Sequence, residues 1–173
     1  MSSELFSRRL AFGLALAPWL ACCSNEPTPD QPPDVTSALS IELGAGRTAF
    51  SPFDDASPSL EVVSGPQGGW HLELTLRLVG YDGNELMLDY LALADTGESL
   101  GFPASYVVSA QKLLPVSDGS HHRLGDRVVL QIEGPDRVAN QQIEVSCDAS
   151  LDGVSLAYDA RSVWVRDEVD ELR

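Results

Sequence analysis

The sequence predicts an all-β fold, a single antiparallel β-sandwich of seven to eight strands that spans residues 38–167. Apolar and polar residues alternate over residues 70–79, which is the period of a half-buried strand. Shorter apolar segments, separated by Gly, Pro and Asp turns, fill the rest of this region. Because no segment of useful length has the apolar repeat of a helix, two packed layers of strands are expected.

Residues 1–22 have the composition of an export signal. Arg8 and Arg9 precede a 12-residue apolar stretch that ends at a pair of cysteines. A membrane-spanning helix needs about 20 apolar residues, so this stretch is too short to span a bilayer. A charged start, a short apolar core and small residues at its end are typical of a cleaved signal peptide. The two adjacent arginines leave twin-arginine export open beside the general route.

The residues at the end of this segment, Leu20-Ala21-Cys22-Cys23, resemble the lipobox of bacterial lipoproteins. In that family the first residue after cleavage is a diacylated cysteine. The resemblance implies lipidation, for example with palmitate, at Cys22 or Cys23, and a protein anchored to the membrane by its N-terminal acyl chains. The residues directly after the cysteines are Ser24 and Asn25 rather than an aspartate, which favours the outer membrane under the enterobacterial sorting rule.

Residues 23–37 are predicted to be a proline-rich tether. Four prolines and only one large apolar residue, Val35, give a segment that cannot bury a core and favours an extended chain. At about 3.1 Å per residue, residues 24–37 would reach roughly 43 Å from the membrane. At the other end of the chain, residues 168–173 are predicted to be an acidic tail.

Eight segments have the length and composition of strands. Residues 86–94 are more continuously apolar than residues 70–79, as in a central strand. Ile143, Val145 and Cys147 share one strand face, so the Cys147 thiol is predicted to be buried and inert; a disulfide to Cys23 is the alternative if Cys22 is acylated. The predicted strands are 38–43, 60–63, 70–79, 86–94, 106–110, 127–132, 141–147 and 161–165.

Three segments resemble a group of uncharacterised bacterial lipoproteins with an Ig-like β-sandwich. Residues 65–71 match a GPQGG-aromatic-His signature, and residues 49–55 look like the group's Phe-x-Pro-apolar-Asp stretch. Residues 147–165 look like its last hairpin. The resemblance implies an extracytoplasmic location and an Ig-like sandwich. It brings no known activity, ligand or catalytic residue.

Charge limits the classes of partner. The chain has 26 acidic and 11 basic residues and a net charge of −15. A surface of this sign repels phosphate backbones and anionic lipid headgroups. Nucleic acid is therefore excluded as an expected partner, and attachment to a membrane must be covalent or hydrophobic.

Two short motifs invite a catalytic interpretation. Residues 97–101 match the GxSxG elbow of serine hydrolases, but a strand-like segment follows where that elbow needs a helix. Residues 109–112 match SxxK, again without the helix that would bring Ser109 and Lys112 together. We therefore predict no catalytic residues and no enzyme.

Metal binding is the remaining chemical alternative. His71 has the parity of Glu73 and is predicted to face solvent, and His121 and His122 are predicted to lie in a loop. After Cys147 no His or Met follows to complete a copper site. Oxygen donors for calcium crowd the turns at 54–55, 82–85 and 148–152, although none fits an EF-hand. No cofactor is predicted.

The sequence thus predicts a lipid-anchored cell-envelope protein with a noncatalytic binding or assembly domain. The alternative is a calcium- or metal-binding periplasmic or outer-membrane lipoprotein. An envelope protein or a glycan is the expected class of partner. The binding surface is predicted at one loop, and the alternative is that this loop is only a hairpin turn. The candidate residues are Gly65, Pro66, Gln67, Gly68, Gly69, Trp70 and His71.

Overall fold

The computed structural model describes residues 38–66 and 68–167. The predicted signal peptide at 1–22, the tether at 23–37, the tail at 168–173 and the lipidation candidates Cys22 and Cys23 lie outside the described residues, as does Gln67. Within residues 38–66 and 68–167, no helix is long and apolar enough to cross a membrane.

The described part of the chain is built from ten strands and two short 3₁₀ turns, and it contains no α-helix. The all-β prediction is therefore confirmed. The 3₁₀ turns are Ala110–Lys112 and Pro135–Arg137. The strands are β1 (Ser40–Ala45), β2 (Ser51–Pro52), β3 (Ser59–Ser64), β4 (Trp70–Val79), β5 (Leu86–Ala94), β6 (Ala104–Val108), β7 (Leu114–Pro115), β8 (His121–Leu130), β9 (Gln142–Leu151) and β10 (Val154–Asp167).

The number of strands and most of their bounds differ from the prediction. β2 and β7 have two residues each, so they are too short to show an alternation of apolar and polar residues. β8 begins at His121 rather than at residue 127, and β10 begins at Val154 rather than at residue 161. β6 starts at Ala104 and ends at Val108, two residues before its predicted end.

The strands form one mixed sheet in the order β2-β1-β4-β3-β10-β9-β5-β6. β4 shares one edge between β1 and β3, and its other edge pairs with β8. β3 runs parallel to β10, so the prediction of a purely antiparallel fold is wrong. The alternation of side chains is the same in parallel and antiparallel strands, so the sequence pattern could not reveal this pairing.

The sheet curls around one hydrophobic core, and contacts between its distant parts hold it closed. On one side, Asp159 of β10 accepts a hydrogen bond from the Leu43 backbone N–H of β1 at 2.8 Å. On the other, Gly101 forms an isolated bridge with Leu130 of β8. The core includes the fully buried β4 leucines Leu72, Leu74, Leu76 and Leu78.

A β-bulge places a charged group inside this core. Leu74 pairs with Asp126 and Leu76 with Arg123, so β8 has one residue more than β4 between these pairs. The slip turns the Asp126 side chain inward, where it is 1% exposed. The Tyr90 hydroxyl donates to one of its oxygens at 2.8 Å, and the Arg123 guanidinium pairs with the other at 2.6 Å.

Cys147 lies beside this buried group, as its parity predicts. Its side chain has no exposed surface, and burial raises the pKa of the thiol well above its usual range. Nearby Asp126 and Asp148 add to this rise in pKa. The reactive thiolate form is therefore disfavoured, which agrees with the predicted inert thiol.

Candidate functional site

The predicted binding loop is the hairpin between β3 and β4. The Gly65 N–H donates to the Gly69 carbonyl at 3.0 Å, and the Gly68 N–H donates to the Gly65 carbonyl at 3.1 Å. Ser64 and Trp70 form the strand pair that closes the turn. The hairpin predicted from the GPQGG sequence is therefore confirmed.

The same turn occurs at two other places in the fold. Residues 94–98 and residues 116–120 repeat both hydrogen bonds of residues 65–69. The fourth position in each turn is a glycine with a φ of 81° or 82°, a left-handed conformation that L side chains rarely adopt. The turn geometry accounts for Gly68 as fully as for its counterparts, which are Gly97 and Gly119.

Gly69 is the residue that sets this hairpin apart. Its counterparts in the other two turns are Glu98 and Ser120, neither of which has a positive φ, whereas Gly69 has a φ of 87°. A Cβ atom at Gly68 or Gly69 would meet no heavy atom within 4 Å. The backbone at both positions is therefore open to contact from outside the molecule.

A depression of about 330 Å³ lies beside the hairpin. The structure brings all the described candidate residues together around it, and it adds Arg127 and Val129 of β8, which no local sequence pattern indicates. The residue Val129 is 54% exposed, and the Arg127 side chain is 56% exposed. The lining residues are Gly65, Pro66, Gly68, Gly69, Trp70, His71, Arg127 and Val129.

His71 is buried, so the prediction that it faces solvent is wrong. Its parity is as predicted, but it lies between the paired positions Val63 of β3 and Val129 of β8, and the residue is only 6% exposed. Its Nε2 atom is buried and has no hydrogen-bond partner. The Nε2 atom lies 3.6 Å from the Glu73 Oε1 atom, which is too long for a hydrogen bond.

Charged side chains of alternating sign continue from His71 across the outer face of the sheet. Arg127 Nη2 lies 3.4 Å from Glu73 Oε1, and Arg47 Nε lies 3.0 Å from Glu73 Oε2. Arg47 Nη2 reaches Glu61 Oε2 at 4.0 Å, and Glu61 pairs in register with Arg166 of β10. Arg47 thus separates two carboxylates that would otherwise repel each other on neighbouring strands.

The other two histidines pair with the opposite end of β4 from His71, and their rings contact different aromatic side chains. The prediction that they lie in a loop is wrong, because they begin β8. The His121 ring packs edge-on to Tyr81 at 5.2 Å, whereas His122 lies 5.0 Å from the Phe50 ring. Among residues 38–66 and 68–167, no group of three or more His, Cys, Asp or Glu side chains could hold a metal ion.

Carboxylates in several acidic turns bond to their own turns. Asp54 accepts the Ala56 N–H at 2.9 Å, and Asp82 accepts the Asn84 N–H at 3.1 Å. Hydrogen bonds from the Ser120 hydroxyl and N–H lower the pKa of Asp118 to about 2. These are the usual contacts of aspartates that cap turns, and they account for the residue type without a bound cation.

The two motifs that resemble catalytic sequences have structural explanations. Within GxSxG, Gly97 supplies the positive φ of its turn, and a Cβ at Gly101 would collide with the Val129 carbonyl oxygen. The Ser99 hydroxyl donates to the Gly101 carbonyl at 2.7 Å. In SxxK, the Lys112 ammonium donates to the Val107 carbonyl at 2.8 Å, and the Ser109 hydroxyl donates to Gln111.

Comparisons with known proteins identify no family. No protein-family model matches the chain, and no curated protein matches it. A glycosyl hydrolase family 2 member from Bacteroides cellulosilyticus aligns with 61% of this chain and 14% of its own, at 8% identity and a TM-score of 0.44. A putative beta-galactosidase from Bacteroides fragilis aligns with 65% of this chain and 16% of its own, at 16% identity and a TM-score of 0.38.

The chain thus spans only a small part of either structure. At these TM-scores the likeness carries no argument about the fold or the activity of this chain.

Proposed function

We propose that the chain is a lipid-anchored cell-envelope protein, placed in the outer membrane, whose β domain is a noncatalytic binding or assembly module. The proposed acceptor of the acyl chains is Cys22 or Cys23, and residues 23–37 are the proposed tether. The partner is an envelope protein or a glycan. The observation that carries the binding role is the open depression beside the β3–β4 hairpin, with its exposed glycine backbone.

The domain belongs, in this proposal, to the Ig-like sandwiches. Its layers would be β1-β4-β8 and β10-β9-β5-β6, with β3 passing between them. The pairing of β3 with both β4 and β10 and the single shared core support this description. Both layers would contribute loops to the ends of the sandwich, where binding residues of such folds are commonly placed.

Three features support a binding role for the hairpin rather than a purely structural one. Gly69 has a positive φ where two turns of the same pattern have ordinary residues. Val129 exposes an apolar side chain at the rim of the depression. Arg127 stands half exposed beside it. Exposed apolar, arginine and backbone groups around one concavity are the usual components of a recognition site.

Intact-mass spectrometry of the protein extracted from membranes tests the anchor. We expect a chain that begins at Cys22 or Cys23 and carries the added mass of acyl chains, because a single cleavage precedes the lipidated residue in the family that the lipobox resembles. A chain that retains residues 1–21, or one without acyl mass, would contradict the anchor.

Capture of partners from envelope extracts tests the binding surface. Gly68→Asn should reduce capture by the full chain at least tenfold, because asparagine tolerates a positive φ but adds a side chain over the open backbone. Gly119→Asn is the matched control, since Gly119 has the same turn, the same conformation and the same open space. Equal capture by the two variants would rule out the hairpin as the binding surface.

A further inference from the structure

One residue that lines the depression beside the hairpin, His71, has a buried polar atom without a partner. The His71 side chain is 8% exposed, and its buried Nε2 atom has no hydrogen-bond partner. Most buried polar atoms in proteins are paired, so an unpaired imidazole nitrogen needs an explanation. The polar atom that the structure places beside it is Glu73 Oε1, at 3.6 Å.

Glu73 already has two cationic neighbours. Arg47 pairs with its Oε2 atom at 3.0 Å, and Arg127 lies 3.4 Å from its Oε1 atom. The Arg127 contact is the longer of the two, and its side chain is 56% exposed at the rim of the depression. A guanidinium has five N–H donors, so Arg127 can receive a second carboxylate in a bidentate arrangement.

We propose that this depression binds a single carboxylate group, which Arg127 holds, in a ligand of otherwise neutral character. The inference rests on the proposed binding function and assigns the chemistry of the same site. As the ligand draws Arg127 away from Glu73, the Nε2–H of His71 donates to the Oε1 atom that Arg127 releases. His71 is thus a positioning residue, which holds the Glu73 carboxylate once Arg127 has moved to the ligand. Its Nε2 atom is unpaired in the free protein because Arg127 then occupies the Oε1 atom.

The charge of the protein favours a ligand with one carboxylate over a polyanion. The net charge of −15 repels an extended polyanion at long range. Among the described residues that line the depression, however, Arg127 is the one Arg, Lys, Asp or Glu, so a ligand there meets a local positive charge. A volume of about 330 Å³ is at the lower end of small-ligand sites, which suits a group the size of a sugar or a dipeptide.

Two sources supply such a carboxylate, the C-terminus of a peptide and an acidic sugar. Isothermal titration of the full chain in detergent with acetyl-Ala-Ala and with galacturonic acid distinguishes them. Acetyl-Ala-Ala amide and galactose are the matched neutral probes. We expect at least one acid to bind with millimolar or better affinity, and the corresponding neutral probe to bind at least tenfold more weakly.

Two arginine variants locate the site. Arg127→Gln should weaken binding of the acid at least tenfold, because it removes a charged donor that a neutral amide does not replace. Arg137→Gln makes the same change of charge at another depression, of about 350 Å³, which also contains Glu98 and Glu133. Its affinity for the acid should stay within twofold of the wild type.

The role of His71 has a separate readout. The ¹⁵N chemical shift of its Nε2 atom should move when the acid is added to the wild-type chain and stay unchanged in Arg127→Gln. The proposal would be overturned if neither acid bound at 10 mM, or if Arg127→Gln bound the acid as tightly as the wild type. It would also be overturned if the Nε2 chemical shift did not change when the acid was added. Partner capture that still depends on Gly68 would then leave the binding function standing without the carboxylate.

Discussion

Replacing Arg123 with methionine is expected to lower the free energy of unfolding by about 3–5 kcal/mol. Asp126 is 1% exposed, and the Arg123 guanidinium is its cationic partner, at 2.6 Å. Methionine keeps most of the packing of the side chain but leaves the carboxylate buried with the Tyr90 hydroxyl. Urea unfolding followed by circular dichroism measures the loss, as a shift of the midpoint at unchanged slope.

Two controls separate the buried charge from other effects. Arg77→Met breaks ion pairs with Glu42 and Asp118, whose side chains are 35% and 49% exposed, and should cost less than about 1 kcal/mol. Adding Asp126→Asn to Arg123→Met should recover part of the loss, because an amide is cheaper to bury than an unpaired carboxylate. A loss below about 1 kcal/mol in Arg123→Met alone would show that water reaches Asp126.

Replacing Gly101 with alanine is expected to cost about 3 kcal/mol, or to prevent folding. The new Cβ would collide with the backbone carbonyl of Val129, which cannot rotate away as a side chain could. Gly101 also forms the bridge to Leu130, and the neighbouring Gln131 N–H donates to the Leu100 carbonyl at 2.7 Å. The substitution therefore opens the contact that closes the curled sheet on this side.

Gly97 in the same GxSxG motif is the matched control. A Cβ there meets no heavy atom within 4 Å, so Gly97→Ala should cost only about 1 kcal/mol, from the positive φ of 82°. Differential scanning calorimetry of both variants gives the comparison. Similar melting temperatures for the two would mean that the approach of Val129 to Gly101 is looser than the structure describes.

The parts of the fold that were predictable are those with an uninterrupted local pattern. β4 and β5 have the predicted bounds because each is a long run of regularly placed apolar residues. The start of β8 was missed because the bulge before Asp126 changes which residues face the core. Its first residues therefore have the composition of a polar loop, although His121, His122 and Arg123 pair with β4.

Only the part of the site that is formed by consecutive residues was predictable. The hairpin follows from five consecutive residues, so its place and its turn could be read directly from the sequence. Arg127 belongs to it because β8 pairs in register with β4, and Arg47 reaches Glu73 from the loop after β1. No local pattern encodes either of these contacts between distant segments. The burial of His71 has the same origin, since alternation predicts the face of a strand but not what lies on either side of it.

Hydrogen exchange of the full chain, with and without a captured partner, tests the binding surface most directly. The account predicts slower exchange at the described amides of residues 65–71 and at Arg127 and Val129 when the partner is bound. The turn at residues 116–120, which has the same hydrogen bonds, should be unchanged. Protection elsewhere on the domain, with none beside the β3–β4 hairpin, would contradict the proposed binding surface.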